Sequence, residues 1–267
     1  MKLSTNDLKF FSENGYLVIR DAVNEELIAD LVNKGDRLVE SEQPFFRTSD
    51  REFDGFRNLL SLDSSFLKLV DIEKALVPII QILGFNVHLS SVHQSYIYPR
   101  DLEQPWEGDW HTDIFGFEND LAEGSVRVGI KCAFPLTSHS KADSGMTIII
   151  PGSHKWDARR DLDNAEPSPQ GSLQLNIKAG DCLIFENRLQ HSRGINLSSE
   201  TRKCILVGYT HRWVIPLDAI DDYDVPDIKL SDLAKDLLPR PYRVEGNGAI
   251  ASLCSKHNLP LRPAEVI

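Results

Sequence analysis

Apolar positions in the first forty residues recur at the helical period and break where turn-forming residues stand. Ser4 precedes a short amphipathic run carrying Leu8, Phe10 and Phe11. Gly15 offers a left-handed stop, so the segment predicts a capped helix. The β-rich YLVI at 16–19 reads as a strand. Asn24 then caps a second helix, EELIADLVNKGDRLVE, whose Leu27, Ile28, Leu31, Val32, Leu38 and Val39 share one face. A further helical stretch is predicted over 64–83 from Phe66, Leu67, Val70, Leu76, Ile79, Ile80 and Leu83, kinked at Pro78 and ended by Gly84.

Beyond residue 86 the pattern changes to short β-type segments: VHLSSVHQSYIY, GDWHTD, VRVGIKCAF, MTIIIP, SLQLNIK, DCLIF and RKCILVGYTHRW. Gly145, Pro151-Gly152-Ser153, Gly171 and Gly180-Asp181 punctuate them. Successive strands without intervening helices predict an antiparallel sandwich or barrel, a mainly β fold with flanking helices. After Pro216 the chain turns polar and proline-punctuated, as a short helix and a tail over the barrel would. The resulting plan is one domain over 1–267: helical support at 1–84, a β core at 86–214, and a C-terminal tail or lid at 216–267. The loop at 100–109 is a second candidate lid.

Composition adds little to this plan but narrows the partners. With 41% hydrophobic and 26% charged residues, 267 residues can bury a sizeable core. A net charge of -11 excludes a broad nucleic-acid or anionic-membrane surface, which leaves a small-molecule partner and says nothing of oligomeric state. The opening KLSTNDLKFFSENG lacks the apolar run of a secretory signal, and no stretch approaches the roughly 20 apolar residues of a membrane span, so the expected location is cytoplasmic. Cys132, Cys182, Cys204 and Cys254 show neither zinc spacing nor a disulfide framework and are expected to be buried thiols.

The candidate chemistry lies in the β region. In WHTD, His111 and Asp113 stand two apart, a spacing that in a strand turns both side chains to one face. GDCLIFENRLQHSRGIN delivers His191 80 residues after His111, at the end of a neighbouring strand. Two histidines and one carboxylate leave three positions open on an iron ion, although zinc hydrolases also use such ligands. Arg202 follows His191 by eleven positions, at the start of a strand. Buried there, it would meet a dicarboxylate with two parallel hydrogen bonds, a role that no hydrolytic zinc centre requires.

Taken jointly, FFSENGYLVIRDAVNEELI, HQSYIYPR, WHTD, SGMTIIIPGSH and AGDCLIFENRLQHSRGINLSSETR resemble the phytanoyl-CoA dioxygenase-like oxygenases, a family that includes ectoine hydroxylases and many natural-product tailoring enzymes. The resemblance implies a double-stranded β-helix, the cupin-like jelly roll. It also implies Fe(II) held by His111, Asp113 and His191, and 2-oxoglutarate as co-substrate with its distal carboxylate on Arg202. Gln94, Tyr98 and Phe134 take the places of residues that face substrate or co-substrate in relatives. His154 of PGSH reads as structural, and Arg193 stands where some relatives carry a small hydroxyl residue. Because Asp113 is retained, halogenation is not expected.

The implied activity is O2-dependent oxidation of an unactivated C–H bond in a small, polar or amino-acid-derived specialised metabolite, with release of succinate and CO2. Further polar contacts to substrate are sought among Gln94, Arg100, Trp110, Arg127, Lys131 and Arg193. Two alternatives stand beside this reading: a metal-dependent oxidase or cyclase on the same barrel without 2-oxoglutarate, and a non-catalytic cupin-like binding protein.

Overall fold

The computed structural model describes residues 2–41, 46–47, 53–101, 110–113, 127–138, 143–156, 162, 168–218, 231–238 and 248–259. Helix α1 (Thr5–Asn14) begins with a reciprocal capping box between Ser4 and Asp7 and ends at Gly15, whose φ of 78° is the left-handed conformation that glycine adopts without strain. Strand β1 (Tyr16–Ile19) follows, and the Asn24 side chain accepts the Leu27 amide at 2.9 Å to open α2 (Glu25–Ser41).

The helical run predicted over 64–83 divides into separate elements. After strands β2 (Phe46–Arg47) and β3 (Phe53–Phe56) comes the single turn α3 (Leu59–Leu62), then a 3-10 turn over Ser64–Leu69, then α4 (Glu73–Leu83). The Asp63 carboxylate accepts the Ser65 amide at 2.8 Å, which starts the tighter turn, and the Ile72 carbonyl restarts the chain as α-helix. Apolar residues are buried on both sides of the break, so the apolar spacing alone gave no sign of it. Pro78 lies inside α4, and Gly84 ends it.

Among the described residues, two antiparallel sheets form the β region. The larger has the order β1-β8-β5-β10-β4-β3-β2, with β4 (Val87–Ile97), β5 (Gly129–Pro135), β8 (Cys182–Glu186) and β10 (Arg202–His211) at its centre. The smaller has the order β7-β6-β9, from β6 (Thr147–Ile149), β7 (Leu173–Gln174) and β9 (His191–Arg193). From β5 onward the chain passes back and forth between the sheets, the winding of a double-stranded β-helix or jelly roll.

The large sheet is buried on both faces, and strand alternation divides its side chains between two environments. In β10, Lys203 reaches Asp36 of α2 at 2.7 Å, while Ile205 and Val207 join the apolar layer formed with the helices. Cys204 and Leu206 turn the other way, into the interior between the sheets, with Ala133, Leu183, Phe185 and Ile149. Residues paired across neighbouring strands share a face. Gln94 and Phe134, opposite Ile205, therefore belong to the helix side; His93 and Ala133, opposite Leu206, belong to the interior.

The region after 216 contains α5 (Asp232–Leu237) and a second helix, α6 (Gly248–Lys256), that was not anticipated. Leu237, Ile250, Leu253 and Cys254 extend the apolar layer that includes α4, with α5 against β4 and α6 against α4, so both helices pack on the helical side of the large sheet. Residues 219–230, 239–247 and 260–267 of the expected tail, and 102–109 of the other expected lid, fall outside the described residues. All four cysteines are free, buried thiols, as expected. Among the described residues no helix is long and apolar enough to cross a membrane.

Gly35, in the middle of α2, shows how closely the helix approaches the sheet. A Cβ there would lie 2.5 Å from the Tyr96 hydroxyl and 2.6 Å from Gln94 Oε1. Both groups are pinned, Tyr96 by donating to Asp36 at 2.8 Å and Gln94 by donating to the Gly35 carbonyl at 3.3 Å. Gly35→Ala is therefore expected to destabilise the protein by about 1–3 kcal/mol in denaturant unfolding. Helix propensity alone predicts a gain of about 1 kcal/mol, so a more stable variant would refute the close contact.

His88, buried on β4, lies 3.0 Å through Nε2 from the Val214 carbonyl; burial and then Arg212 push its imidazole down to about 4. At pH 7 it is neutral in the folded chain. As the pH falls below about 6.5 the unfolded chain takes up a proton that the folded chain refuses until about 4, so stability drops across that window by roughly 3 kcal/mol. In His88→Asn, unfolding midpoints measured between pH 7 and pH 4.5 should fall less steeply than in the wild type.

Candidate metal centre

The site is built on the turn between β8 and β9. Strand β8 is buried throughout and ends at Glu186, whose carboxylate takes Arg127 Nε at 2.8 Å and also pairs with Arg188. The Glu186 amide donates to the Gly15 carbonyl at 2.9 Å, tying the strand end to the cap of α1. Within the turn, Leu189 N–H donates to the Glu186 carbonyl at 2.9 Å and Gln190 N–H to Ser153 Oγ at 2.8 Å. The chain then enters β9 with His191 as its first residue.

His111 is placed by backbone pairing with that residue. The two exchange reciprocal N–H to carbonyl hydrogen bonds, both 3.0 Å, as an isolated antiparallel bridge. The Asp113 amide donates to the Asn187 carbonyl at 2.7 Å. The segment around WHTD is thus no continuous strand among the described residues. It is a short piece of chain laid against the turn and fixed at both ends, and residues two apart still point to one side.

The result brings the three expected residues together. One ligand atom from each of His111, Asp113 and His191 lies within 4.8 Å of the others. The imidazole centroids are 4.2 Å apart and the rings are tilted by 51°. His191 Nδ1 lies 2.8 Å from the Leu189 carbonyl, which accepts its proton and leaves Nε2 as the lone-pair nitrogen, 3.7 Å from Asp113 Oδ2. Phe185 packs against the His191 ring with centroids 4.8 Å apart.

Burial and the adjacent His111 push the His191 imidazole down to about 3, so it is neutral near pH 7. Burial alone would raise the Asp113 carboxyl, but Lys131, His191 and His111 outweigh it and hold the group well below the usual carboxylate range. Asp113 Oδ2 is buried and has no hydrogen-bond partner. An ionised, unpartnered oxygen beside a neutral imidazole nitrogen suits a divalent cation.

Arg202 opens β10, 2% exposed, on the interior face. Its Nη2 donates to Thr147 Oγ1 at 3.2 Å, and its Nε is buried with no partner. Thr147 pairs with Arg193 and Ile149 with His191, which separates the guanidinium anchor from the imidazole by two residues, or roughly 7 Å along the sheet. Gly145 permits the close approach, since a Cβ there would meet Arg202 Cβ at 3.0 Å.

The other expected site residues lie elsewhere. Gln94 is buried against α2, and Phe134 belongs to the apolar layer beneath the helices; neither lines the interior. Tyr98 is two positions beyond Tyr96 and donates through its hydroxyl to Asp54 of β3 at 3.0 Å. Trp110 packs with Ile148 and Ile150, and Arg127 is engaged by Glu186 with its guanidinium 5.3 Å from the centre of the Phe11 ring. The Arg100 amide donates to the Asn196 carbonyl at 2.9 Å. His154 is held through Nε2 at 3.1 Å from the Ser12 carbonyl, apart from the ligand cluster, as expected. Arg193 stacks over the Phe53 ring at 4.8 Å.

The interior wall next to the cluster includes Lys131, one of the expected polar contacts, and Ser91 and His93, which had not been given this place. Lys131 pairs with Asp113, and Ser91 Oγ and His93 Nδ1 are buried polar atoms without hydrogen-bond partners. The signal for Lys131 was its position in GIKCAF, a lone charge in a strand apolar on both faces. That for Thr147 was the one hydroxyl in TIII.

The family model described as Phytanoyl-CoA dioxygenase matches residues 11–204. Among curated proteins, dioxygenase FUM3 of Gibberella moniliformis is 34% identical over 76 residues, 28% of this chain and 24% of that protein. Dioxygenase sphC of Aspergillus fumigatus is 34% identical over 77 residues, 29% and 20% respectively. The chain thus spans less than a quarter of the length of these relatives. Among solved structures, the epimerase SnoN in complex with Fe3+, alpha ketoglutarate and nogalamycin RO aligns with a TM-score of 0.64 at 15% identity, covering 88% of this chain and 94% of that one. HygX from Streptomyces hygroscopicus, with nickel, 2-oxoglutarate and hygromycin B bound, also gives 0.64 at 15% identity, covering 82% and 93%. At such identities the likeness is one of fold.

Ser153 supports the β8–β9 turn from outside the ligand set. Ser153→Ala leaves the buried Gln190 N–H without an acceptor, and a loss of about 1–3 kcal/mol in denaturant unfolding is expected. Because Gln190 adjoins His191, Co(II) affinity measured by calorimetry should fall as well, and a variant unchanged in both would show that the turn does not depend on this bond.

Proposed function

This chain belongs to the phytanoyl-CoA dioxygenase family, and from that premise we propose that it is an Fe(II)- and 2-oxoglutarate-dependent dioxygenase acting on a small molecule. The observation that carries the reading is Arg202: a buried guanidinium with an unpartnered Nε that donates to Thr147, itself two residues along the smaller sheet from the partner of His191. A hydrolytic metal centre has no use for such a group, whereas the far carboxylate of a 2-oxoacid dianion would satisfy it.

In this reading His111, Asp113 and His191 hold the iron. His191 presents a neutral Nε2, and Asp113 an ionised Oδ2. Arg202 and Thr147 orient the co-substrate through its distal carboxylate, and Arg202 neutralises that charge. Bound iron, 2-oxoglutarate and O2 together supply the oxidising chemistry, in which a substrate C–H bond is oxidised and succinate and CO2 are released. Phe185, Leu183, Ile149 and Leu206 exclude water from the space between the sheets.

On the side away from Arg202, Ser91 Oγ and His93 Nδ1 offer polar contacts to the primary substrate. They support a small polar or amino-acid-derived metabolite. Residues 1–267 are read as one catalytic unit, supported by an apolar cluster that runs from Leu3 to Leu259.

Anaerobic titration with Fe(II) and then 2-oxoglutarate tests the assignment through the weak visible charge-transfer band of the chelate. The band should form in the wild type. In Arg202→Ala, 2-oxoglutarate affinity should fall by about 2–5 kcal/mol, roughly thirtyfold or more. Iron binding with no band in the wild type would remove 2-oxoglutarate from the reading.

A further inference from the structure

Lys131 stands on β5, a strand buried on both faces, and its ammonium pairs with Asp113 Oδ1; the two side chains are 6% and 8% exposed. A fixed positive charge beside a divalent cation is repulsive, more so in a poorly solvated interior, so a lysine is an expensive residue at this position. One further observation bears on why it is there. The pairing is with one carboxylate oxygen only, and it is the other, Oδ2, that lies 3.7 Å from His191 Nε2 without a partner.

We propose that Lys131 is a positioning residue that divides the two oxygens of Asp113, occupying Oδ1 so that only Oδ2 is given to the metal. The inference rests on the metal assignment made above. A carboxylate can bind a cation through one oxygen or both. Two histidines and a one-oxygen carboxylate leave three open positions, two for the oxoacid and one for O2. A two-oxygen carboxylate would fill one of the three. Lys131 thus keeps the centre open at some expense in metal affinity, and its charge adds to the attraction for the co-substrate dianion.

A merely structural lysine and a positioning lysine predict different results. If Lys131 only holds the fold, removing it weakens metal and co-substrate binding in parallel. If it divides the carboxylate, removing it separates the two effects. In the full-length Lys131→Met protein, Co(II) alone should bind as tightly as in the wild type or up to about tenfold more tightly. The intensity of the Co(II) d–d absorption should change with the altered coordination. Affinity for 2-oxoglutarate, followed by the Fe(II) charge-transfer band, should fall roughly ten- to a hundredfold. Lys131→Arg keeps a donor for Oδ1 and should retain the wild-type pattern.

Parallel weakening of Co(II) and 2-oxoglutarate in Lys131→Met, or wild-type values for both, overturns the proposal. If Lys131→Met does not fold, Lys131→Leu, whose side chain has no hydrogen-bond donor and leaves Oδ1 open, is expected to show the same separation and is judged by the same outcomes. Failure of the wild type to bind Co(II) would instead refute the metal assignment itself.

Discussion

Everything the site offers depends on two backbone hydrogen bonds, the reciprocal pair between His111 and His191. Side chains directly opposite each other in an antiparallel bridge leave the backbone on the same side, so pairing these residues by their main chains makes their imidazoles neighbours. The bond from Asp113 to the Asn187 carbonyl then adds a carboxylate two positions along. The remaining structure holds one partner of that bridge still. Glu186, engaged by two arginines and by Gly15, anchors the end of β8, and Ser153 steadies the turn from the other side.

The large sheet separates two kinds of chemistry across the thickness of a single strand. In β4, Gln94 and Tyr96 meet α2, while His93 faces the interior next to Lys131 and Asp113. In β10, Lys203 forms an ion pair with a helix, while Arg202, its immediate neighbour, turns to the interior and donates to Thr147. The helical layer carries most of the apolar burial, which leaves the interior free to hold charged and unpartnered polar groups.

This division also explains which features could be read from sequence. The capped helices at the N-terminus were legible because Ser4, Gly15 and Asn24 act locally. The pairing of His111 with Asp113 was legible because, in extended chain, residues two apart share a face, and the structure brings His191 beside them. Gln94 and Phe134 were misplaced because their strands are buried on both sides, so no exposed face marks which side is the interior. The break between the 3-10 turn and α4 was hidden for a similar reason, since buried residues continue through it. Lys131 was legible as a candidate polar contact, but its pairing with Asp113 was not, because that partner is 18 residues away, across the fold and not along a strand.

The bridge joins residues 80 positions apart, and Arg202 enters the chain later still. During synthesis, a chain that has emerged only as far as Gly129 carries His111 and Asp113 with nothing to align them. The aligning turn also requires Gly15, from the first helix, to meet Glu186. Closing loops of this length sets an entropic barrier that local structure cannot lower. The grouping of His111, Asp113 and His191 is therefore completed late, together with the barrel, and a chain stopped before Glu186 lacks the geometry that brings them together.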